Sequence, residues 1–241
     1  MRTAPARRWS TTSSTWHALG NTYVVVEPDQ PLDAATASEL AQGTDGVLEV
    51  LGRSTTSVAI AIWNPDGSTA ELSGNGTRIA AAWLAAHTGE SEVTVEVAGR
   101  VVHTRLRAGG DIEQDLGEIV IGAAETIDGI TFVPVSVGNP HAVVIGDPAR
   151  IAEVGPFLET HPRFPGRTNV QIARIDGPGE VTARVWERGV GETLSSGTSA
   201  VAVAAATHGE GDVTVHFPGG DLRVRLDHGR ATLYGRAERV A

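Results

Sequence analysis

The stretch SGNGTRIAAAWLAAHTGESEVTVEV, Ser73 to Val97, runs from a serine and two close glycines into an alanine-rich segment. It then stops at a glycine and continues as an alternating Val-x-Val strand. A helix that is apolar on every side must be enclosed on every side, so this one belongs inside a sheet rather than on a surface. A second stretch, SSGTSAVAVAAATHGEGDVTVHF from Ser195 to Phe217, repeats the design. Gly89, Val93 and Val95 correspond to Gly209, Val213 and Val215 at a constant spacing of 120 residues. Self-similarity at a fixed spacing is the mark of a duplicated unit.

The rest of the chain fits two such units. Short β-branched runs lie between turn signals: YVVVE, SVAIAIW, VTVEVAG, VVHTRLR, TFVPVSV, NVQIARI, VTARVWE, VTVHF and LRVRL. Helical patterns start near Pro31, Thr77, Pro148 and Thr198. The expected fold is α/β with two pseudo-symmetric domains, each a curled mixed sheet around a central helix. Residues 12–118 with the final strand 230–241 form the first domain, residues 119–229 form the second, and residues 1–11 are a flexible leader.

Bulk properties narrow the function. With 241 residues the chain is long enough to bury a substantial core without staples. The net charge of −10, with arginines scattered, argues against nucleic acid and for a small-molecule partner. Zero cysteines removes disulfides and thiol chemistry together. No apolar run approaches a membrane span and the basic start lacks a signal-peptide core, so no membrane partner is expected and cytoplasm is the default location. The eight histidines show no HExxH or paired ligand spacing, so no metal site is expected.

The first backbone N–H groups of a helix lack partners and the dipole adds partial positive charge, so a helix mouth stabilises a carboxylate. Ser73-Gly74-Asn75-Gly76 and Ser196-Gly197-Thr198-Ser199 both suit that purpose, with glycines admitting a ligand close to the main chain. Either serine can equally serve as an ordinary helix cap. Around them, at strand ends and turns, stand Asn21, Asn64, Asn139, His141, Asn169, Glu187 and Arg188. Arg188 suits carboxylate recognition, because a planar guanidinium matches two oxygens. Asp66-Gly67 reads as a tight turn, and His17 as a strand end.

In this order the motifs resemble the diaminopimelate epimerase family: HALGN from His17, NPDGS from Asn64, SGNG from Ser73, GNPH from Gly138, RTN from Arg167, ERGVGET from Glu187 and SGT from Ser196. The resemblance runs over nearly the whole chain. It implies two similar α/β halves with the site between them, cofactor-independent removal and return of an α-proton, and room for a dimer. It also implies that Asn64, Asn139, Asn169 and Arg188 hold the substrate, and that His141 and Glu187 partner two catalytic thiols. Those thiol positions read Ser73 and Ser196 here. Thr22 stands where the family usually has aspartate, and Gly46 where a glutamine is usual.

A thiol near its reference pKa of about 8.5 is a few per cent ionised at neutral pH, whereas a serine hydroxyl is not. Three outcomes follow. His141 or Glu187 acts directly as acid and base on a carboxylated substrate already acidified by conjugation, moving a double bond as the phenazine-pathway isomerase of this fold does. Pyrroline intermediates of alkylproline antibiotic pathways are one setting for such a substrate. Alternatively, activated serines make an epimerase or dehydratase, or the chain binds a ligand without chemistry.

Overall fold

A computed structural model describes residues 12–70 and 72–240, so the expected leader lies outside the described residues. The first half contains β1 (Thr12–Ala18), β2 (Asn21–Glu27), α1 (Ala34–Leu40), β3 (Gly46–Arg53), β4 (Ser57–Trp63) and β5 (Thr69–Ala70). It continues through α2 (Gly74–Thr88), β6 (Glu92–Val97), β7 (Arg100–Leu106) and β8 (Asp111–Glu118). Short strands β9 (Val120–Ile121) and β10 (Glu125–Ile127) lead into the second half. There follow β11 (Ile130–Ser136), β12 (Pro140–Ile145), α3 (Ile151–Glu159), β13 (Asn169–Gly177), β14 (Glu180–Glu187) and β15 (Gly191–Thr193). The chain ends with α4 (Gly197–Thr207), β16 (Gly211–Phe217), β17 (Gly220–Asp227), β18 (Arg230–Arg236) and β19 (Glu238–Arg239).

The duplication read from the helices extends to strand pairing. In the first half β2 runs parallel to β3 across α1, and β4 parallel to β6 across α2. In the second half β12 runs parallel to β13 across α3, and β14 parallel to β16 across α4. Both halves close with antiparallel β6–β7–β8 or β16–β17–β18 ladders. The corresponding strands even share register, with Val58 opposite Val95 and Val181 opposite Val215.

Helices α2 and α4 are enclosed as their composition requires. Residues Gly74–Ala85 of α2 are buried, as are Gly197–Ala205 of α4. Ile79 to Ala85 pack with Val25, Leu48, Ile60, Val95 and Ile112; Ala200 to Ala205 pack with Val143, Val185, Val215 and Leu222. Alanine and valine dominate α4, where the curled sheet closes round the helix on all sides at native packing density, while α2 also finds room for Ile79, Trp83 and Leu84.

Both helices begin earlier than the alanine pattern suggests. Ser73 is extended, with φ −132° and ψ 120°, and its Oγ accepts the Gly76 N–H at 3.0 Å, drawing the glycines into the first turn. At the far end Gly89 takes φ +81° and its N–H closes on the Ala85 carbonyl at 2.8 Å, a left-handed stop that glycine adopts without strain.

Strand β8, DIEQDLGE, carries no apolar alternation, yet it lies between β7 and β18. Only Ile112 and Gln114 turn fully inward, which is why composition hid it. The final strand also joins both halves: β18 pairs with β8 of the first and β17 of the second, while Ala231 and Leu233 pack into the second core. It is the seam, and β19 then pairs with β1 of the first half.

The two helix mouths touch through glycine. A Cβ on Gly74 would lie 2.9 Å from the Gly197 Cα, and one on Gly197 would lie 3.1 Å from the Gly74 Cα and 2.8 Å from Leu233 Cδ2. Gly74→Ala should therefore push backbone against backbone and lower stability by about 1–3 kcal/mol. Gly52→Ala, with nothing within 4 Å of the added carbon, should shift the thermal midpoint little. Equal midpoints for the two variants would show that the helix ends are not in contact.

Candidate active site

Between the halves lies a cleft of about 620 Å³. Asn21, Asn64, Ser73, Gly74 and Asn75 line it from the first half. Asn139, Asn169, Glu187, Arg188, Ser196, Gly197 and Thr198 line it from the second. The site residues read from the sequence thus converge on one space, except His141.

The two serines do different work. Ser73 caps α2 through the Gly76 N–H, while the Ser196 hydroxyl makes no cap bond and lies near enough to the Glu187 carboxylate to lower its pKa. Thr193 Oγ1 donates to Glu187 Oε1 at 2.6 Å. Glu187 ends β14, and β15 folds back beside it with Glu187 opposite Gly191, so the turn at ERGVGET brings Thr193 over the carboxylate. Burial raises the Glu187 pKa, the two hydroxyls oppose that rise, and the Asp45 carboxylate adds to it. The result is a half-buried carboxylate nearer to working pH than an exposed one, the condition for a general base.

His141 stands behind the cleft wall. It is 1% exposed on β12, and burial lowers its pKa to about 3. Gln171 Nε2 donates to His141 Nδ1 at 3.0 Å, which leaves Nε2–H to donate to Asn139 Oδ1 at 3.0 Å. Gln171 also reaches Ser199 Oγ at 2.9 Å, tying the ring to α4. The direct acid/base role foreseen for His141 therefore meets a neutral, enclosed imidazole that orients Asn139. The GNPH motif alone could not show this, because burial is a property of the neighbouring strand and helix.

The asparagines are held rather than free. Asn64 Nδ2 donates to Ser68 Oγ at 2.9 Å within the Asn64–Ser68 hairpin, where Gly67 takes φ +82°. Asn139 Nδ2 points to Thr198 Oγ1 at 3.5 Å. Asn169 donates to the Pro140 carbonyl at 3.0 Å and accepts the Arg188 N–H at 3.0 Å, so it fixes the backbone of the guanidinium-bearing residue. Asn75 donates to Asn21 Oδ1 and, at 3.1 Å, to Ser195 Oγ, linking the halves beneath the cleft floor. His17 Nε2 accepts the Gly20 N–H at 3.0 Å, a turn contact at the end of β1.

Several participants escaped the sequence reading. Tyr23 lies two residues after Asn21 on β2 and so shares its cleft-facing side, a period-two signal that was available. Asp45 lines the cleft and accepts the Thr22 N–H at 2.7 Å, in the register where Tyr23 faces Gly46. Arg78, on α2, is fully buried; it donates to Asn75 Oδ1 and, at 3.0 Å, to Gln114 Oε1, while its Nε has no partner. Desolvation lowers its pKa to about 9, and among the described residues no ion pair to a carboxylate is formed. An arginine in an alanine helix reads as a surface residue until the second half covers it.

Elsewhere, Glu210, Asp227 and His228 bring ligand atoms within 4.8 Å of one another at an exposed turn, a grouping that sequence spacing did not suggest. None of them lines the cleft. No helix among the described residues is long and apolar enough to cross a membrane.

A cleft between two copies of one fold, floored by two helix mouths and flanked by a tuned carboxylate, is a site of the epimerase and isomerase type of enzyme. The diaminopimelate epimerase family profile matches residues 14–121 and 133–240, and the chain belongs to that family. It is 34% identical over 248 residues to diaminopimelate epimerase 2 of Nostoc sp., covering 88% of this chain and 87% of that one. It is 34% identical over 267 residues to the diaminopimelate epimerase of Synechocystis sp., covering 94% and 96%. Among solved structures, a phenazine biosynthesis protein of the PhzF family from Bacillus anthracis matches with a TM-score of 0.73 at 13% identity, covering 98% of each chain. A hydroxyproline epimerase from Agrobacterium vitis matches with a TM-score of 0.69 at 18% identity, covering 98% of this chain and 91% of that one. These two likenesses show the fold.

The enclosed imidazole has a consequence for stability. Its folded pKa of about 3 lies below the usual unfolded value near 6.5, so its contribution is full above pH 6.5 and is lost as pH falls toward 3. His141→Asn should be less stable than wild type at pH 7, and that gap should shrink by about 3 kcal/mol at pH 4. Urea unfolding of both proteins at the two pH values checks this; a gap independent of pH would mean the imidazole titrates in the fold as it does in the unfolded chain.

Proposed function

We propose that the protein is a cofactor-independent isomerase that shifts a proton, and with it a double bond, on a small carboxylated substrate, with Glu187 as the base. The observation that carries this reading is the Glu187 carboxylate in the cleft, its pKa raised by burial and its Oε1 held by the Thr193 hydroxyl. A carboxylate of that basicity suits a C–H bond already acidified by conjugation, such as one beside an imine. It is a weak base for a plain amino-acid α-carbon, where an ionised thiol is better placed.

Binding follows from the surrounding groups. The substrate carboxylate is received by the α2 and α4 mouths, whose Gly74 and Gly197 expose backbone N–H groups. Asn64, Asn139, Asn169 and Arg188 hold the other end, with His141 and Asn169 fixing the side chain of Asn139 and the backbone of Arg188 respectively. The glycine-lined mouths also stabilise negative charge that develops as the proton leaves. The substrate class is a carboxylated unsaturated amino-acid derivative, for which a pyrroline carboxylate is the simplest representative. No metal, nucleic acid or membrane enters the scheme, and the protein works as a soluble enzyme of the cell interior, free to pair as a homodimer.

A second reading is favoured by the presence of Ser196 and Glu187 in the same cleft and by the names of the curated relatives: epimerisation of diaminopimelate with an activated serine as proton carrier.

Deuterium incorporation from solvent, followed by NMR, separates the two readings. With Δ1-pyrroline-2-carboxylate as probe, exchange should fall by about 10²- to 10⁴-fold in Glu187→Gln and by tenfold or less in Ser73→Ala. The rate in wild type should rise with pH through the raised pKa of Glu187, because the base must be ionised. Rapid exchange at the α-carbon of diaminopimelate, lost in Ser196→Ala, would overturn the first reading and establish the second.

A further inference from the structure

We propose that the phenol of Tyr23 is the second proton carrier of the cleft, donating the proton that completes the shift begun by Glu187. This inference rests on the proposed isomerase reading and adds to it the group that returns a proton.

Tyr23 lines the cleft from β2 in the first half, whereas Glu187 lines it from β14 in the second. The two face the same space, and after burial the charges of Glu187 and Asp45 add to the rise in the Tyr23 pKa. The ring is seated by Gly46: a Cβ there would lie 3.0 Å from Tyr23 Cε1 and 2.3 Å from the Trp63 carbonyl oxygen, so any side chain would displace the phenol. The hydroxyl is oriented by Ser73, whose Oγ lies 3.5 Å from Tyr23 Oη.

The contact serves either direction, since Ser73 Oγ, while accepting the Gly76 N–H, keeps one hydrogen to donate and a second lone pair to accept. The proposed step uses the orientation in which Ser73 donates to Tyr23 Oη, which leaves the phenol hydrogen for the cleft. The arrangement also stabilises the phenolate that forms on donation. Burial raises the Tyr23 pKa to about 12, so the group is protonated at working pH and gives up its proton only to a strongly basic atom.

The step balances without a further reactant. Glu187 takes a proton from the carbon beside the imine, and the C–H electron pair becomes the new C=C bond. The imine π pair moves onto nitrogen, which takes the Tyr23 proton. The phenolate is then reprotonated from the Glu187 carboxyl through cleft water, restoring both groups. Ser73 is a positioning residue in this scheme, and its loss slows the reaction less than loss of the phenol.

The first measurement is C3 exchange of Δ1-pyrroline-2-carboxylate in D2O with wild type, Tyr23→Phe and Ser73→Ala. Tyr23→Phe keeps the ring against Gly46 and should lower the exchange rate by about 10²-fold or more while leaving the Kd for pyrrole-2-carboxylate within about twofold. A Tyr23→Phe enzyme exchanging at the wild-type rate would overturn the proposal. The second measurement does not depend on turnover. With 3-fluorotyrosine at both tyrosines, Tyr23 and Tyr234, the 19F resonance absent in Tyr23→Phe belongs to Tyr23. It should step as Glu187 titrates between pH 4 and 9, and the step should vanish in Glu187→Gln. If wild type fails to exchange the probe but the step is present, the isomerase reading falls and the Tyr23–Glu187 pair stands; absence of the step, or its persistence in Glu187→Gln, overturns the pair.

Discussion

Two helix N-termini meet backbone to backbone at Gly74 and Gly197, and the site depends on that contact. Each mouth carries partial positive charge from its unpaired N–H groups, so bringing them together is electrostatically unfavourable unless negative charge is nearby. The enclosing sheets compel the approach. Burial of α2 and α4 along most of their length stabilises each half, and the β8–β18 seam then fixes the halves side by side. What the two mouths lack, an anion supplies, and a substrate carboxylate is the anion that the proposed chemistry brings.

Arg78 sharpens the same demand. A buried guanidinium whose bonds go to Asn75 and Gln114, both neutral, leaves positive charge beneath the cleft floor. Its partner Asn75 spans the halves to Ser195, so the charge is held by the network that defines the floor. On the opposite wall burial, helped by the Asp45 charge and opposed by the hydroxyls of Thr193 and Ser196, leaves Glu187 more basic than an exposed carboxylate. In the proposed scheme positive floor and basic wall divide the work: the floor holds an anion and the wall removes a proton.

The hydroxyls themselves have diverged although their sequence contexts match. Ser73 retains the cap role typical of serine before a helix, whereas Ser196 turns toward Glu187 because β15 places Thr193 and the carboxylate on its side of the mouth. Beside Ser73 stands a tyrosine, and among the described residues no carboxylate hydrogen-bonds that serine. The pseudo-symmetry of the fold thus holds for backbone and core and breaks at the reacting groups, giving the cleft a carboxylate on one side and a phenol on the other.

The sequence by itself determined the duplicated α/β architecture, because an all-apolar helix followed by a Val-x-Val strand has few ways to be buried and the pattern occurs twice. It also determined that the asparagines, Glu187, Arg188 and the two serine-glycine mouths belong to one region, since turn and strand-end motifs in that order fix a known family. Only the tertiary structure decided what each group does. His141 became a neutral support and Arg78 a buried charge because the strands and helices packed over them remove water, and solvation sets protonation. Strand β8 was hidden for a related reason, and so was the double role of β18, a strand expected with the first half alone: both depend on their mutual pairing across more than a hundred residues, and no local periodicity records a distant hydrogen bond.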